Sequence, residues 1–452
     1  MILAAGKGTR MKSGRPKVLH RAGGRPMIEH VLETARSVSP QTLAIVVGHG
    51  ATKLREALVR HPDLTFVVQE PQLGTAHALL TTEPVFRGRS GSLVLLSGDV
   101  PLLTPATVRN LLDRHTATSA ALTVLTATVD NPQGYGRIVR SGEGIARIVE
   151  ERDASSGERA IHEINSGIYA FDLGGLFEAV HGIAADNAQR EYYLPDLVQI
   201  YRDRGRIVET VTVTNPQEVA GINSRSELAA VNRLMREAKN RQLMAEGVTI
   251  EDPATTYIDP DVQVGADTVI HPGVVLEGRT IVGNACEIHS WVRLVDATIG
   301  DGATILNHCV LTEVTVGSGS TVGPFAHLRN HTTIGAGAKV GNFVEMKKTS
   351  LGERTKAMHL AYLGDAVIGS GVNIGAGTIT CNYDGEKKST TTIEDGAFIG
   401  SDSQLIAPVT VGRGAYVGTG TTIRENVPAG SLAVSAGKQR NIEGWVEKKR
   451  KK

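Results

Sequence analysis

The stretch YIDPDVQVGADTVIHPGVVLEG, residues 257–278, carries an aliphatic side chain at Ile258, Val264, Ile270 and Leu276. A spacing of six fits neither the 3.6-residue turn of a helix nor the alternation of an ordinary strand. It fits a chain that turns a corner after every short strand. Three such strands close one triangular coil, so about 18 residues advance one layer and each inward aliphatic stacks on those above and below. The register continues through Val282, Ile288 and Leu294, restarts at Ile299, and passes Val316, Val340, Leu351, Ile368 and Ile374 to a last run from Ile393 to Ile423. It predicts roughly nine layers of a left-handed parallel β-helix built of hexapeptide repeats. A core stacked this way needs few large rings, which accounts for 51 glycines beside only 4% aromatic residues.

The repeat breaks in one region. Of 28 positions in register, 25 are Ile, Val or Leu, and the exceptions are Met346, Ala357 and Thr380. Beside them stand Lys347, His359 and the non-repeating CNYDGEKK (381–388). Departures from a repeat tend to mark functional sites. The residues there suit acyl transfer to an amine. His359 is a candidate general base, with Glu345 placed to orient it. Arg329, Lys347 and Lys388 offer charge for a sugar phosphate, and Tyr362 and Asn373 offer hydrogen bonds for its hydroxyls.

Upstream the texture differs. Residues 224–247 space Leu228, Val231, Leu234, Met235, Ala238 and Leu243 as a helix that ends at Gly247, a linker between residues 1–223 and 248–452. Before it, apolar runs at 42–49, 64–69, 92–103 and 120–129 alternate with helical patterns at 27–38 and 104–115. Such alternation predicts an α/β domain with a mostly parallel sheet, whose ligands gather beyond the carboxyl ends of the strands. LAAGKGTRMKSGRPKVLH (3–20) follows the first apolar run with Gly6, Gly8 and Gly14 among Lys7, Arg10, Lys12, Arg15 and Lys17. Successive backbone N–H groups and cations in such a loop suit an anion, although the P-loop pattern is absent. Asp99, in SGDVPLL, should face this loop across a cleft. A carboxylate opposite a phosphate cradle is what Mg2+-assisted phosphoryl or nucleotidyl transfer requires.

A net charge of +1 gives no global field for nucleic acid, and no apolar run approaches the ~20 residues of a membrane span. Three cysteines, Cys286, Cys309 and Cys381, form no even framework and fit a reducing, cytoplasmic setting. The basic end, VEKKRKK, reads as a frayed, solvated tail.

Read in order, LAAGKGTRM, RPKVLH, QEPQLGTAHA, GDVPL, NPQGYGRIV, IVEERDA, EINSGIYAF and AGINSRSEL resemble the sugar-nucleotide pyrophosphorylases. With GNFVEMKK, HLAYLGD and NIGAGTITCNYDG they resemble the bifunctional N-acetylglucosamine-1-phosphate uridylyltransferase/glucosamine-1-phosphate acetyltransferase family over nearly the whole chain. That resemblance implies a Rossmann-like nucleotidyltransferase domain followed by an acetyltransferase β-helix. It implies UTP held by Leu3, Ala4, Gly6 and Lys17, with Gln69, Gly74 and Thr75 reading the uracil. It places Gly136, Glu150, Asn165 and Asn223 on the N-acetylglucosamine phosphate, and Asp99 with Asn223 on Mg2+. In the second domain it implies acetyl-CoA near Ala376, Asn382, Tyr383, Lys388, Ser401 and Thr419. Asn382 and Tyr383 would reach a neighbouring subunit of a homotrimer. The family's late basic residue is replaced by Ala436, with Lys438 or Arg440 as substitutes, and its first strand starts several residues earlier than this one. The expected product is UDP-N-acetylglucosamine for the cell envelope. Two alternatives remain at this point: a monofunctional nucleotidyltransferase with an oligomerising β-helix, and a non-catalytic assembly subunit.

Overall fold

The computed structural model describes residues 1–450 apart from positions 436 and 438, so Ala436 and Lys438 lie outside the described residues. Two compact units divide at Met235 and Arg236, inside a single helix, Arg225–Ala245.

In the first unit the apolar runs become strands Leu43–Val47, Leu64–Val68, Ser92–Ser97 and Leu122–Thr128. The helical patterns become Met27–Arg36 and Pro105–Ala117. Thr104 starts the second of these by accepting a hydrogen bond from the N–H of Thr107, and proline occupies the first turn. Across the main sheet the strands follow the order Val208–Thr212, Leu122–Thr128, Glu163–Asp172, Ser92–Ser97, Ile2–Ala4, Leu43–Val47, Leu64–Val68. All neighbours in this order are parallel except around Glu163–Asp172, which lies antiparallel to the strand on either side. Ile2–Ala4 is short but sits between two parallel partners. Apolar side chains on the two faces form separate cores, one around Ala44, Val46, Leu79 and Phe171, the other around Ile2, Ile28, Ile45 and Leu111.

The second unit is the parallel β-helix. One wall is a nine-stranded parallel sheet whose strands are two or three residues long. Of the repeat positions named above, all are buried except Val264, which is half-buried against the core. The core is thus a column of Ile, Val and Leu running through the coils. Thr380, the one polar anchor, is fully buried, and its hydroxyl both accepts from the Gly364 N–H at 2.7 Å and donates to the Gly364 carbonyl at 3.0 Å. The basic end departs from expectation: Trp445–Arg450 is helical rather than frayed, with three cations in the last turn where the helix dipole favours them.

Candidate functional site

Three strands of the first unit run out into one cavity of about 410 Å3. Ile2–Ala4 continues into Ala5, Gly6 and Lys7, Leu64–Val68 into Gln69, and Ser92–Ser97 into Asp99. Leu3, Ala4, Lys17, Gly74 and Thr75 also line it, so every residue assigned to the nucleotide meets Asp99 there. Gly8 has φ 60°, and a Cβ on it would lie 2.8 Å from Cβ of Lys17; the loop folds back over Lys17 only because that position is glycine. Gly74 has φ 110° and sits where a Cβ would strike the backbone of Tyr192. Gln69 is buried and donates to the Gly74 carbonyl at 2.9 Å, while the Thr75 hydroxyl accepts from the N–H of Leu194 at 3.1 Å.

Lys17 and Asp99 form the expected pair across the cleft. The ammonium is ion-paired with Asp99 Oδ2 and also donates to Asn223 Oδ1 at 3.0 Å. Asn223 is held by a capping box: Ser224 Oγ accepts from the N–H of Glu227, and the Glu227 carboxylate accepts from the N–H groups of Asn223 and Ser224. One carboxylate and one amide oxygen therefore converge on a single cation position, filled here by the ammonium.

A second pocket of about 210 Å3 shares Leu3, Thr75 and Ser97 with the first and is lined by Gly136, Glu150 and Asn165. A Cβ on Gly136 would stand 3.2 Å from Glu150 Oε1 and 3.5 Å from Asn165 Cβ, so these three form one wall. Asn165 donates to the Tyr169 hydroxyl at 2.7 Å. Burial pushes the Glu150 carboxyl above the ordinary glutamate range, and the charges of Asp153 and Asp196 add to the shift.

In the β-helix, two strands of nine residues, Lys339–Lys347 and Lys356–Gly364, replace the usual short ones and continue across a corner at Phe343 and Leu360. They pair from Lys339 with Lys356 to Lys347 with Gly364, which sets Asn342 opposite His359 and Glu345 opposite Tyr362. His359 is exposed, with Nδ1 3.1 Å from Asn342 Oδ1. Glu345 is not the orienting group; it is ion-paired with Arg329. The corner at Phe343, φ 57°, separates Glu345 from the His359 side.

Arg329 and Lys347 are neighbours in register. Lys347 lies 4.0 Å from Asp365 Oδ2, the oxygen that also accepts from Asn382 Nδ2. The Lys388 ammonium is held below its ordinary pKa chiefly by contact with Lys347. A Cβ on Gly364 would collide with the Tyr362 hydroxyl and lie 2.9 Å from Asn382 Nδ2. The 381–388 segment is pinned by a Tyr383–Lys388 bridge and leaves Tyr383 exposed. Cationic, hydroxyl and amide groups thus meet around Lys347, on the coils that carry His359. Asn373 pairs with Lys356 on the next coil.

Residues 1–250 match the model of the MobA-like NTP transferase domain, 253–336 the GMPPB C-terminal domain, and 390–425 the bacterial transferase hexapeptide (six repeats). The relative from Bacillus velezensis is 48% identical over 453 residues, spanning 100% of this chain and 99% of its own. Those from Trichlorobacter lovleyi and Geotalea uraniireducens are 49% and 47% identical, each over 100% of this chain and 98% and 99% of their own. All three carry the name bifunctional protein GlmU. The chain belongs to the GlmU family. It is a bifunctional enzyme of UDP-N-acetylglucosamine synthesis, with uridylyltransferase and acetyltransferase activities. Neither the monofunctional nor the non-catalytic alternative stands, because the likeness spans both halves.

Within this GlmU frame three of the six residues assigned to the acetyl donor, Ala376, Ser401 and Thr419, stack on successive coils. The N–H of Asp402 donates to the Ala376 carbonyl, and that of Gly420 to the Ser401 carbonyl, which aligns Ala376, Ser401 and Thr419 along one corner. The tight turns beside them need glycine: a Cβ on Gly375 would lie 2.5 Å from the Ser401 nitrogen, and one on Gly400 2.6 Å from the Thr419 nitrogen. Several site residues escaped the sequence reading. Gln72 donates to the Ala5 carbonyl in the nucleotide cavity, where Ser97 and Glu191 also stand. Gln72 lies inside the QEPQLGTAHA motif, which was the available signal. Asn342 lies inside GNFVEMKK, but only the register shows that it faces His359.

Proposed function

We propose that the first unit carries uridylyl transfer at the Lys17–Asp99–Asn223 cluster and the second carries acetyl transfer at His359. The observation that carries this reading is the convergence of two oxygen donors and a lysine in a nucleotide-sized cavity whose side pocket holds Gly136, Glu150 and Asn165. Hard oxygen ligands suit Mg2+, and the Lys17 ammonium already marks a cation position between Asp99 and Asn223. Bound there, Mg2+ would neutralise phosphate charge. Lys17, released from Asp99, turns to the UTP phosphates, and Gly6 leaves open space for them. Glu150 and Asn165 position N-acetylglucosamine 1-phosphate, whose phosphate oxygen attacks the α-phosphorus in line and expels pyrophosphate. Positioning and charge neutralisation supply most of such a rate.

In the β-helix, the Asn342 oxygen accepts from His359 Nδ1, which leaves Nε2 as the basic nitrogen. That nitrogen takes a proton from the glucosamine 1-phosphate amine as the amine attacks the thioester carbonyl of acetyl-CoA. The acyl C–S bond breaks, CoA leaves as a thiolate that takes up the proton, and Arg329, Lys347 and Lys388 hold the phosphate. The enzyme is a cytoplasmic homotrimer in this reading. Support for an assembly comes from exposed apolar corners at Trp291, Phe325, Phe343 and Leu360, the last on the strand that carries His359.

Purified protein with Mg2+ tests both assignments. Asp99→Ala should abolish pyrophosphate release from UTP and N-acetylglucosamine 1-phosphate and spare thiol release from acetyl-CoA and glucosamine 1-phosphate. His359→Ala should do the reverse. A variant that loses both reactions, or neither, overturns the assignment of its residue.

A further inference from the structure

Far from His359 along the coils, the β-helix carries a second cluster of chemically capable side chains. Glu251, His271 and His289 each follow a strand at the same point of successive coils: the N–H of Glu251 donates to Ile270, that of His271 to Ile288 and that of His289 to Ile305. The two imidazoles stack with centroids 4.7 Å apart. Glu287 projects from the coil of His289, two residues before it and on the same side of the strand. Its Oε1 lies 3.4 Å from His271 Nε2 and 3.3 Å from His289 Nε2. Glu251 Oε2 lies 2.9 Å from the remaining nitrogen, His271 Nδ1.

We propose that His271, Glu287 and His289 form a Zn2+ site, with Glu251 as the outer carboxylate that orients His271. Donors about 2.0–2.1 Å from a tetrahedral zinc stand about 3.3 Å apart, the separation found for both histidine–glutamate pairs. One donor atom from each of the three residues falls within 4.8 Å of the others. Turning the imidazoles about χ2, a broad torsion, brings both Nε2 atoms onto one ion. A histidine ligand that gives its other nitrogen to a carboxylate is the arrangement metal sites use to fix the tautomer. Two nitrogens and one oxygen suit zinc among first-row ions better than they suit Mg2+, which prefers an all-oxygen shell. The backbone under the four residues is a hydrogen-bonded ladder, so the donors are held on a rigid support. Three protein ligands leave one position for water, and the ion would tie the coil of His271 to that of His289.

The test uses tag-free full-length protein, stripped with chelator and then saturated with Mg2+. Zn2+ is titrated calorimetrically, and Co2+ binding is followed by its visible absorption. The expected result is one ion per chain. His271→Gln and His289→Gln should each weaken Zn2+ at least about 100-fold and remove the Co2+ band, and Glu251→Gln should weaken it about tenfold. Circular dichroism of the stripped variants verifies their fold, and His359→Ala should bind as wild type does. Absence of saturable Zn2+ binding, unchanged affinity in folded His289→Gln, or loss of binding in His359→Ala would each overturn the proposal.

Discussion

Two residues show how much of each site depends on neighbours that the linear order conceals. Lys17 and Asp99 were legible because both follow strand ends, and such ends converge in a parallel sheet. The partner of His359 was not, because it depends on where the chain turns its corner: Glu345 and Asn342 are three residues apart but lie on opposite sides of Phe343. Asn342→Ala should lower kcat for acetyl transfer roughly tenfold, shift its pH–rate profile and leave uridylyl transfer unchanged. An unaltered acetyl profile would remove Asn342 from the mechanism. Glu150 permits a stability test. Burial raises its folded pKa above the ~4.3 of an unfolded chain, so its contribution is complete below pH ~4 and is lost as pH rises through the folded value. Glu150→Gln escapes that loss. The Tm of the variant relative to wild type should be near zero difference at pH 4 and higher at pH 8; a pH-independent difference would show that burial does not raise the pKa of this carboxyl.

At the scale of elements, the β-helix was readable because an inward side chain recurs in a fixed register and each coil repeats the same burial. The two nine-residue strands were not readable, since nothing in their composition announces that strand pairing continues on both sides of the corner at Phe343 and Leu360. Their pairing depends on Gly341, whose Cβ would run into the Met358 carbonyl. Gly341→Ala should therefore force the coils apart and reduce acetyl transfer at least about tenfold while uridylyl transfer persists. Gly157→Ala, with open space at its Cβ position, is the matching neutral control. Thr380 explains its own exception to the aliphatic rule. Thr380→Val fills the same volume but strands the Gly364 N–H in the core, a cost of about 1–3 kcal/mol. Thermal unfolding should show that loss, and a variant as stable as wild type would mean the hydroxyl is dispensable.

Across the whole molecule, one regularity in the β-helix asks for a partner. Trp291, His308, Phe325, Phe343 and Leu360 occupy the same corner of successive coils, and all have positive φ, between 36° and 64°. His308, Phe325 and Phe343 stack at 4.9 and 5.4 Å. Positive φ costs a bulky residue about 1–2 kcal/mol, whereas glycine adopts it freely, as Gly273 does at the preceding corner with φ 77°. Five large side chains kept in this strained conformation, and largely open to water, form a ridge that is unfavourable for an isolated chain. Covered by a second copy, the same ridge becomes an apolar seam adjoining Asn342 and His359. Phe343→Glu should then dissociate the assembly in analytical ultracentrifugation, depress acetyl transfer through loss of the neighbouring chain, and leave uridylyl transfer intact. A variant that remains associated with full acetyl activity would place the subunit contact elsewhere. A variant that dissociates yet keeps its acetyl rate would show that each chain carries a complete acetyl site, and the strain at this corner would then serve assembly alone.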